Sequence, residues 1–179
     1  MSAPTSSTTD TPTTPGTPRV AIVTGGSGGI GRAVAERLAT DGTTVVVHYA
    51  GSAARAEETV QAITAAGGRA LAVQADVADE DAVAALFDRT EEAFGGVDVV
   101  VHTAGVMLLA PLAELDLADF DRMHRTNVRG TVVVAQQAAR RLRPGGAIVT
   151  FSSSVVGLAL PTYAAYAATK GAVDAMTWS

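Results

Sequence analysis

Near the end of the sequence, Tyr166-Ala167-Ala168-Thr169-Lys170 sets a phenol and an ammonium four positions apart. On a helix, positions i and i+4 share a face, so the two groups come within mutual reach. A phenol titrates near about pH 10 and is a poor acid or base at neutral pH unless a neighbouring cation favours the phenolate. A lysine ammonium can do this, whereas the rigid fork of arginine is geometrically different and does not shuttle protons. Of the 13 basic residues in the chain, Lys170 is the one lysine. Upstream, the apolar run Ala147-Ile148-Val149-Thr150-Phe151 ends in Ser152-Ser153-Ser154, three hydroxyls at the close of a strand. The Tyr-x3-Lys spacing arises often by chance, so its weight depends on what surrounds it.

A second stretch supplies that context. Thr24-Gly25-Gly26-Ser27-Gly28-Gly29-Ile30-Gly31 follows the apolar run Val20-Ala21-Ile22-Val23 and precedes a helical pattern from Ala33 to Ala39. Strand, glycine turn and helix in this order is the setting of a dinucleotide-phosphate site. Gly25 permits a turn that a Cβ obstructs, and Gly29 and Gly31 are expected to let backbone and helix approach a pyrophosphate. Free N–H groups at the helix start, with Ser27 and Ile30 between the glycines, then face the anion. No Lys-Ser or Lys-Thr pair follows the glycines, which excludes a P-loop.

These stretches need a scaffold, and the rest of the chain describes one. Strand-like runs fall at 20–24, 43–49, 69–75, 97–102 and 146–152. Helical patterns fill the gaps at about 29–41, 52–66, 79–95, 116–142 (read as two helices) and 163–179. Apolar strands alternating with helices predict an α/β fold, a Rossmann-type doubly wound parallel sheet of about five strands with its ligand crevice at their carboxyl ends. Residues 1–18, rich in Ser, Thr and Pro, read as a disordered tail ahead of the domain at 19–179. The net charge of −5 without a basic run argues against nucleic acid. The absence of cysteine removes disulfides and thiolate metal sites, no metal site is expected, and the chain is expected in the reducing cytoplasm. No apolar stretch nears the roughly 20 residues of a membrane helix.

The remaining candidates lie at strand ends. Between Asp41 and Glu57 the chain carries no carboxylate, so the end of the second strand lacks the acid that holds ribose hydroxyls and repels a 2′-phosphate. Ser52 and Arg55 stand there instead as phosphate donors, and NADP(H) is favoured over NAD(H). Asp76-Val77 closes the third strand, where a carboxylate can accept from an adenine amino group. Ala104-Gly105 closes the fourth, where small residues let the chain run beside the cofactor. His48, His102 and His124 read as structural rather than catalytic.

At this point the chain resembles the short-chain dehydrogenase/reductase family. The motifs Thr24-Gly25-x3-Gly29-Ile30-Gly31, Asp76-Val77, Ala104-Gly105, Asn127-Val128, Ser154 and Tyr166-x3-Lys170 stand in that family's order and spacing over about residues 19–179. The resemblance implies reversible hydride transfer between a nicotinamide cofactor and a ketone or secondary alcohol. It implies that Tyr166 is the general acid, that Lys170 lowers its pKa and grips the nicotinamide ribose, and that a serine hydrogen-bonds the substrate oxygen. That serine is Ser153 or Ser154, with Ser154 preferred for its Ser-x-x-Gly setting. Asn127 is expected to kink its helix and hold a water in a proton relay. His102 and Thr103 depart from the two asparagines usual in the fourth-strand motif, and Gly28 stands where the NADP-preferring branch often has arginine.

Family members usually run to about 250 residues, so the resemblance also implies two further strands and a substrate-covering loop. The domain is therefore expected to be incomplete at its C-terminus, and the isolated 179-residue chain poorly active. A homodimer or homotetramer is implied for a full-length relative. The alternative reading is a non-catalytic nucleotide-binding module or an inactive fragment of such an enzyme.

Overall fold

The computed structural model describes residues 18–177, and the expected tail, up to residue 17, lies outside them. From the first strand the chain runs β1 (Val20–Thr24), α1 (Gly29–Thr40), β2 (Thr44–Tyr49), α2 (Ala53–Ala65), β3 (Ala70–Gln74), α3 (Glu80–Phe94) and β4 (Val97–His102). It continues through α4 (Leu117–Met123), α5 (Gly130–Arg141), β5 (Leu142–Thr150) and α6 (Ala164–Thr177). The five strands form one parallel sheet in the order β3-β2-β1-β4-β5. Successive crossovers leave β1 in opposite directions, so the sheet reverses between β1 and β4 and a crevice opens at their carboxyl ends.

Alternation along the strands divides the core in two. Ile22, Val46 and Val100 pack against Val83, Leu86 and Phe87 of α3 and Val133, Val134 and Ala138 of α5. Val23, Val45, Val47 and Val101 face Ala35 and Ala39 of α1 and Ala56 and Ile63 of α2. Three of the helices, α2, α3 and α4, are also capped locally by a side chain. Asp79 caps α3 by accepting from the Ala82 N–H at 2.9 Å, Glu80 and Asp81 complement the helix dipole, and Gly95 ends the helix at φ +82°. No helix among the described residues is long and apolar enough to cross a membrane.

Two element boundaries differ from the sequence expectation. The pattern over 116–142 becomes α4 and α5 joined by a π stretch, His124–Arg129, rather than two separated helices. β5 begins at Leu142 rather than near residue 146, because the Arg143-Pro144-Gly145-Gly146 segment bulges outward while the strand stays paired. Gly145 at φ +79° and the Arg143–Asp98 ion pair at 2.7 Å hold the bulge.

Two histidines stand among the buried polar groups at the carboxyl end of the sheet. His48 is 1% exposed, and its Nδ1 accepts from the Gly25 N–H at 3.1 Å while Nε2 donates to the Ala75 carbonyl at 3.0 Å. His102 Nδ1 shares a 2.8 Å hydrogen bond with Thr24 Oγ1. Burial lowers both from 6.5 to about 4, although the Ala75 bond and Asp76 oppose the shift at His48; at His102, His48 and Lys170 add to it. In the unfolded chain each imidazole takes its proton below about 6.5, but in the folded chain only near 4. Stability is therefore full above about pH 6.5 and falls as pH drops toward 4, by up to about 3 kcal/mol per histidine. Urea unfolding at several pH values across this window should show the decline, and His102→Asn should remove about half of its slope.

Candidate active site

The crevice is built from the β1–α1 loop upward. Gly25 takes φ +69°, and Gly31 is packed so closely that a Cβ there meets the Gly25 carbonyl and the Thr103 hydroxyl. The missing side chain at Gly31 thus lets the start of α1 pack closely against the glycine loop and Thr103. Nothing lies within 4 Å of a Cβ at Gly29, which leaves that face of the loop open. Gly28, the residue preceding α1, offers no side-chain cap, and the first helical bond runs from the Arg32 N–H to the Gly28 carbonyl at 3.2 Å. The N–H groups at the start of the helix are left for an anion.

A groove of about 750 Å³ runs from this loop along the ends of β2, β3 and β4. Gly25, Ser27, Ser52, Arg55, Asp76, Val77, Ala104 and Gly105 line it together, as the sequence motifs implied. Ser52 caps α2 by accepting from the Arg55 N–H at 3.4 Å, and the Arg55 guanidinium lies over Gly28. Thr24 is placed differently from expectation. It is fully buried, with Oγ1 bonded to His102 and accepting from the Ala104 N–H at 3.2 Å, so it braces two strand ends instead of facing a ligand.

The groove also contains residues that the motifs did not mark. His48, Arg122, Arg125 and Thr126 line it. Arg125 Nη1 donates to Asp76 Oδ2 at 2.6 Å, whereas Arg55 and Arg122 have no carboxylate partner among the described residues. Three guanidinium groups thus stand against one carboxylate in a chain of net charge −5. In the sequence the arginines of 122–129 look like an ordinary solvated helix face. Only the break that His48 makes in the apolar run of β2 was visible beforehand. Burial raises the Asp76 carboxyl pKa, but the Ala78 N–H and Arg125 outweigh it and hold it below the usual value.

A smaller cavity of about 160 Å³ adjoins the groove through the shared wall of Gly105 and Val106. Ile30, Thr103, Met107, Phe151, Ser152, Tyr166 and Lys170 line it. Tyr166 and Lys170 share a face of α6, with Nζ 5.9 Å from the phenol ring centre. The Lys170 ammonium is buried and donates to the Phe151 carbonyl at 2.6 Å, while Ser152 Oγ donates to the Lys170 carbonyl at 3.1 Å and ties β5 to α6. Burial lowers the Lys170 pKa. It also raises that of Tyr166, partly offset by Ser153 and reinforced by Tyr163. The groups that shift Tyr166 are its burial, Ser153 and Tyr163, while the Lys170 ammonium is directed at the Phe151 carbonyl.

Of the two candidate serines, Ser153 is half-buried, accepts from the Val155 N–H at 3.4 Å and is a group that lowers the Tyr166 pKa, whereas Ser154, preferred from its setting, heads the 3-10 turn Ser154–Gly157 and is exposed. Asn127 is 1% exposed and lies inside the π stretch. Its Oδ1 accepts from the Val106 N–H at 2.8 Å, and Nδ2 donates to the Val106 carbonyl at 2.8 Å and Thr169 Oγ1 at 3.1 Å. It therefore joins the β4 loop to α6 behind the cavity. Met107, which lines the cavity, is exposed, as are Leu109, Leu158 and Leu160.

The profile of the short chain dehydrogenase family matches residues 19–179. An uncharacterized oxidoreductase of Methylorubrum extorquens is 44% identical over 158 residues, which cover 88% of this chain and 64% of that protein. A versicolorin reductase of Emericella nidulans is 42% identical over 87% of this chain and 59% of its own length. A short chain dehydrogenase of Burkholderia cenocepacia in complex with NADP superposes with a TM-score of 0.84 at 45% identity, over 89% of this chain and 65% of the other. The chain spans about three-fifths of the length of such relatives. With the glycine loop, the sheet order and the paired phenol and ammonium in place, these matches establish that the chain belongs to the short chain dehydrogenase family and is of oxidoreductase lineage.

Proposed function

We propose that the chain binds NADP(H) and supplies the acid–base groups for reversible hydride transfer between a nicotinamide and a ketone or secondary alcohol. One observation carries this reading: a cationic groove and the Tyr166–Lys170 cavity share a wall, so a ligand lying along the first ends in the second. The residues fit such a ligand. Free N–H groups at α1 suit its pyrophosphate. Ser52 and Arg55, in a stretch that carries no carboxylate between Asp41 and Glu57, suit a 2′-phosphate. NADP in the Burkholderia relative and the reductase names of other relatives support the same choice.

When bound, the nicotinamide supplies or takes up the hydride; the chain handles the proton. Tyr166 donates its hydroxyl proton to the carbonyl oxygen during reduction, and Ser153 donates a hydrogen bond to that oxygen. Lys170 has three N–H donors and uses one on Phe151, which leaves two that would serve the ribose hydroxyls. Asn127 keeps the loop and α6 at fixed separation. A raised phenol pKa suits an acid: Tyr166 stays protonated at neutral pH and is ready for reduction, whereas alcohol oxidation needs the phenolate. That same raised value would fit a nucleotide-binding module without turnover, so the two readings are separated at Tyr166.

With NADPH and a panel of ketones, Tyr166→Phe should cut turnover by about 10²–10⁴-fold while leaving NADPH affinity nearly unchanged; equal turnover would favour the binding module. Ser153→Ala should be impaired and Ser154→Ala close to the parent; the reverse order would return the role to Ser154. Arg55→Ala should weaken NADPH about tenfold and NADH little, read by fluorescence titration. The reductive rate should hold through neutral pH and fall on the alkaline side, while alcohol oxidation rises with pH.

A further inference from the structure

Resting on the NADP(H) reading, we propose that Arg125 is a positioning residue for the adenine end of the groove, holding the Asp76 carboxylate turned toward the base. The two residues are 49 positions apart, so only the fold makes the pair. Asp76 lies just beyond β3 and Arg125 in the π stretch, and both line the groove beside His48 and Ser27.

Asp76 is restrained at two points. Its Oδ1 accepts from the Ala78 N–H at 2.9 Å and its Oδ2 from Arg125 Nη1 at 2.6 Å. With Ala78 alone the carboxylate could pivot about that single bond; with both, its plane is set. Each carboxylate oxygen keeps a further lone pair, so Asp76 can still accept from an exocyclic amine. Arg129 braces the same turn from the next helical turn, with Nε donating to the Ala78 carbonyl at 3.0 Å and Nη2 to Glu80 at 2.8 Å. Arg125 also offsets the negative charge of Asp76, which would otherwise stand in the path of a phosphorylated ligand.

The pair is poorly suited to a stabilising role. Asp76 and Arg125 side chains are 48% and 54% exposed, and exposed ion pairs add little to stability. A residue that acts on the ligand through Asp76 is therefore distinguishable from one that merely supports the fold.

NADPH titration of the full chain, followed by nicotinamide fluorescence, tests this with Arg125→Ala, Asp76→Ala, the double variant and Arg125→Lys, each with a thermal melt. Arg125→Ala should weaken NADPH by about tenfold, Arg125→Lys should recover part of that loss, and melting temperatures should hardly move. In the Asp76→Ala background, Arg125→Ala should cost less than about twofold more. Losses that multiply, unchanged affinity in Arg125→Ala, or tighter binding by it would overturn the proposal while leaving the NADP(H) reading intact. Failure of the parent chain to bind NADPH would overturn both.

Discussion

A glycine loop can stand open at the end of a parallel sheet only if its own backbone is held from beneath. Here the holding is done by buried polar groups on neighbouring strands. Gly25 and Gly26 donate to the His48 ring at 3.1 Å and the His48 carbonyl at 3.0 Å. On the other side, Thr103 Oγ1 donates to the Thr24 carbonyl at 2.6 Å, and Thr24 Oγ1 receives the Ala104 N–H. Because Thr24 and His48 are buried, losing a partner at either exposes a desolvation cost rather than only a lost contact. These bonds hold the loop that leads into α1 against β2 and the end of β4.

The second half of the site depends on a similar tie at greater range. Asn127 occupies a π stretch, where the extra residue in the turn brings its amide inward. From there it grips both polar groups of Val106 and the Thr169 hydroxyl, which itself donates to the Tyr166 carbonyl at 2.7 Å. The loop after β4, the π stretch and α6 are thereby referenced to one side chain. Lys170, fixed against Phe151, completes the frame from β5.

Charge is distributed to match. The chain is acidic overall, and most of its ion pairs lie on outer helix faces, such as Arg32–Glu36 and Arg37–Asp41. The groove reverses that balance through arginines from two sequence regions, Arg55 on α2 and Arg122 with Arg125 near α4. A phosphorylated ligand meets locally positive potential despite the net charge, and burial on the opposite wall keeps His48 neutral so that it can accept from Gly25.

The sequence alone determined the alternation of strands and helices, the parallel sheet and the ends of the strands where ligands gather. These follow from apolar periodicity and glycine placement, which are local properties. It also marked Gly25, Ser27, Asp76, Ala104 and Gly105 as neighbours of one groove, because they follow the ends of adjacent strands, and Tyr166 and Lys170 as neighbours through their helical spacing. The tertiary structure decided what one-residue spacing and long-range approach control. It exposes Ser154 at the head of a 3-10 turn while keeping Ser153 half-buried, turns Thr24 inward to His102, and points Lys170 at Phe151. It joins Arg125 to Asp76 across 49 positions. Hydrogen-bond direction depends on side-chain torsions and on partners brought close by folding, and neither is written in the local pattern of residues.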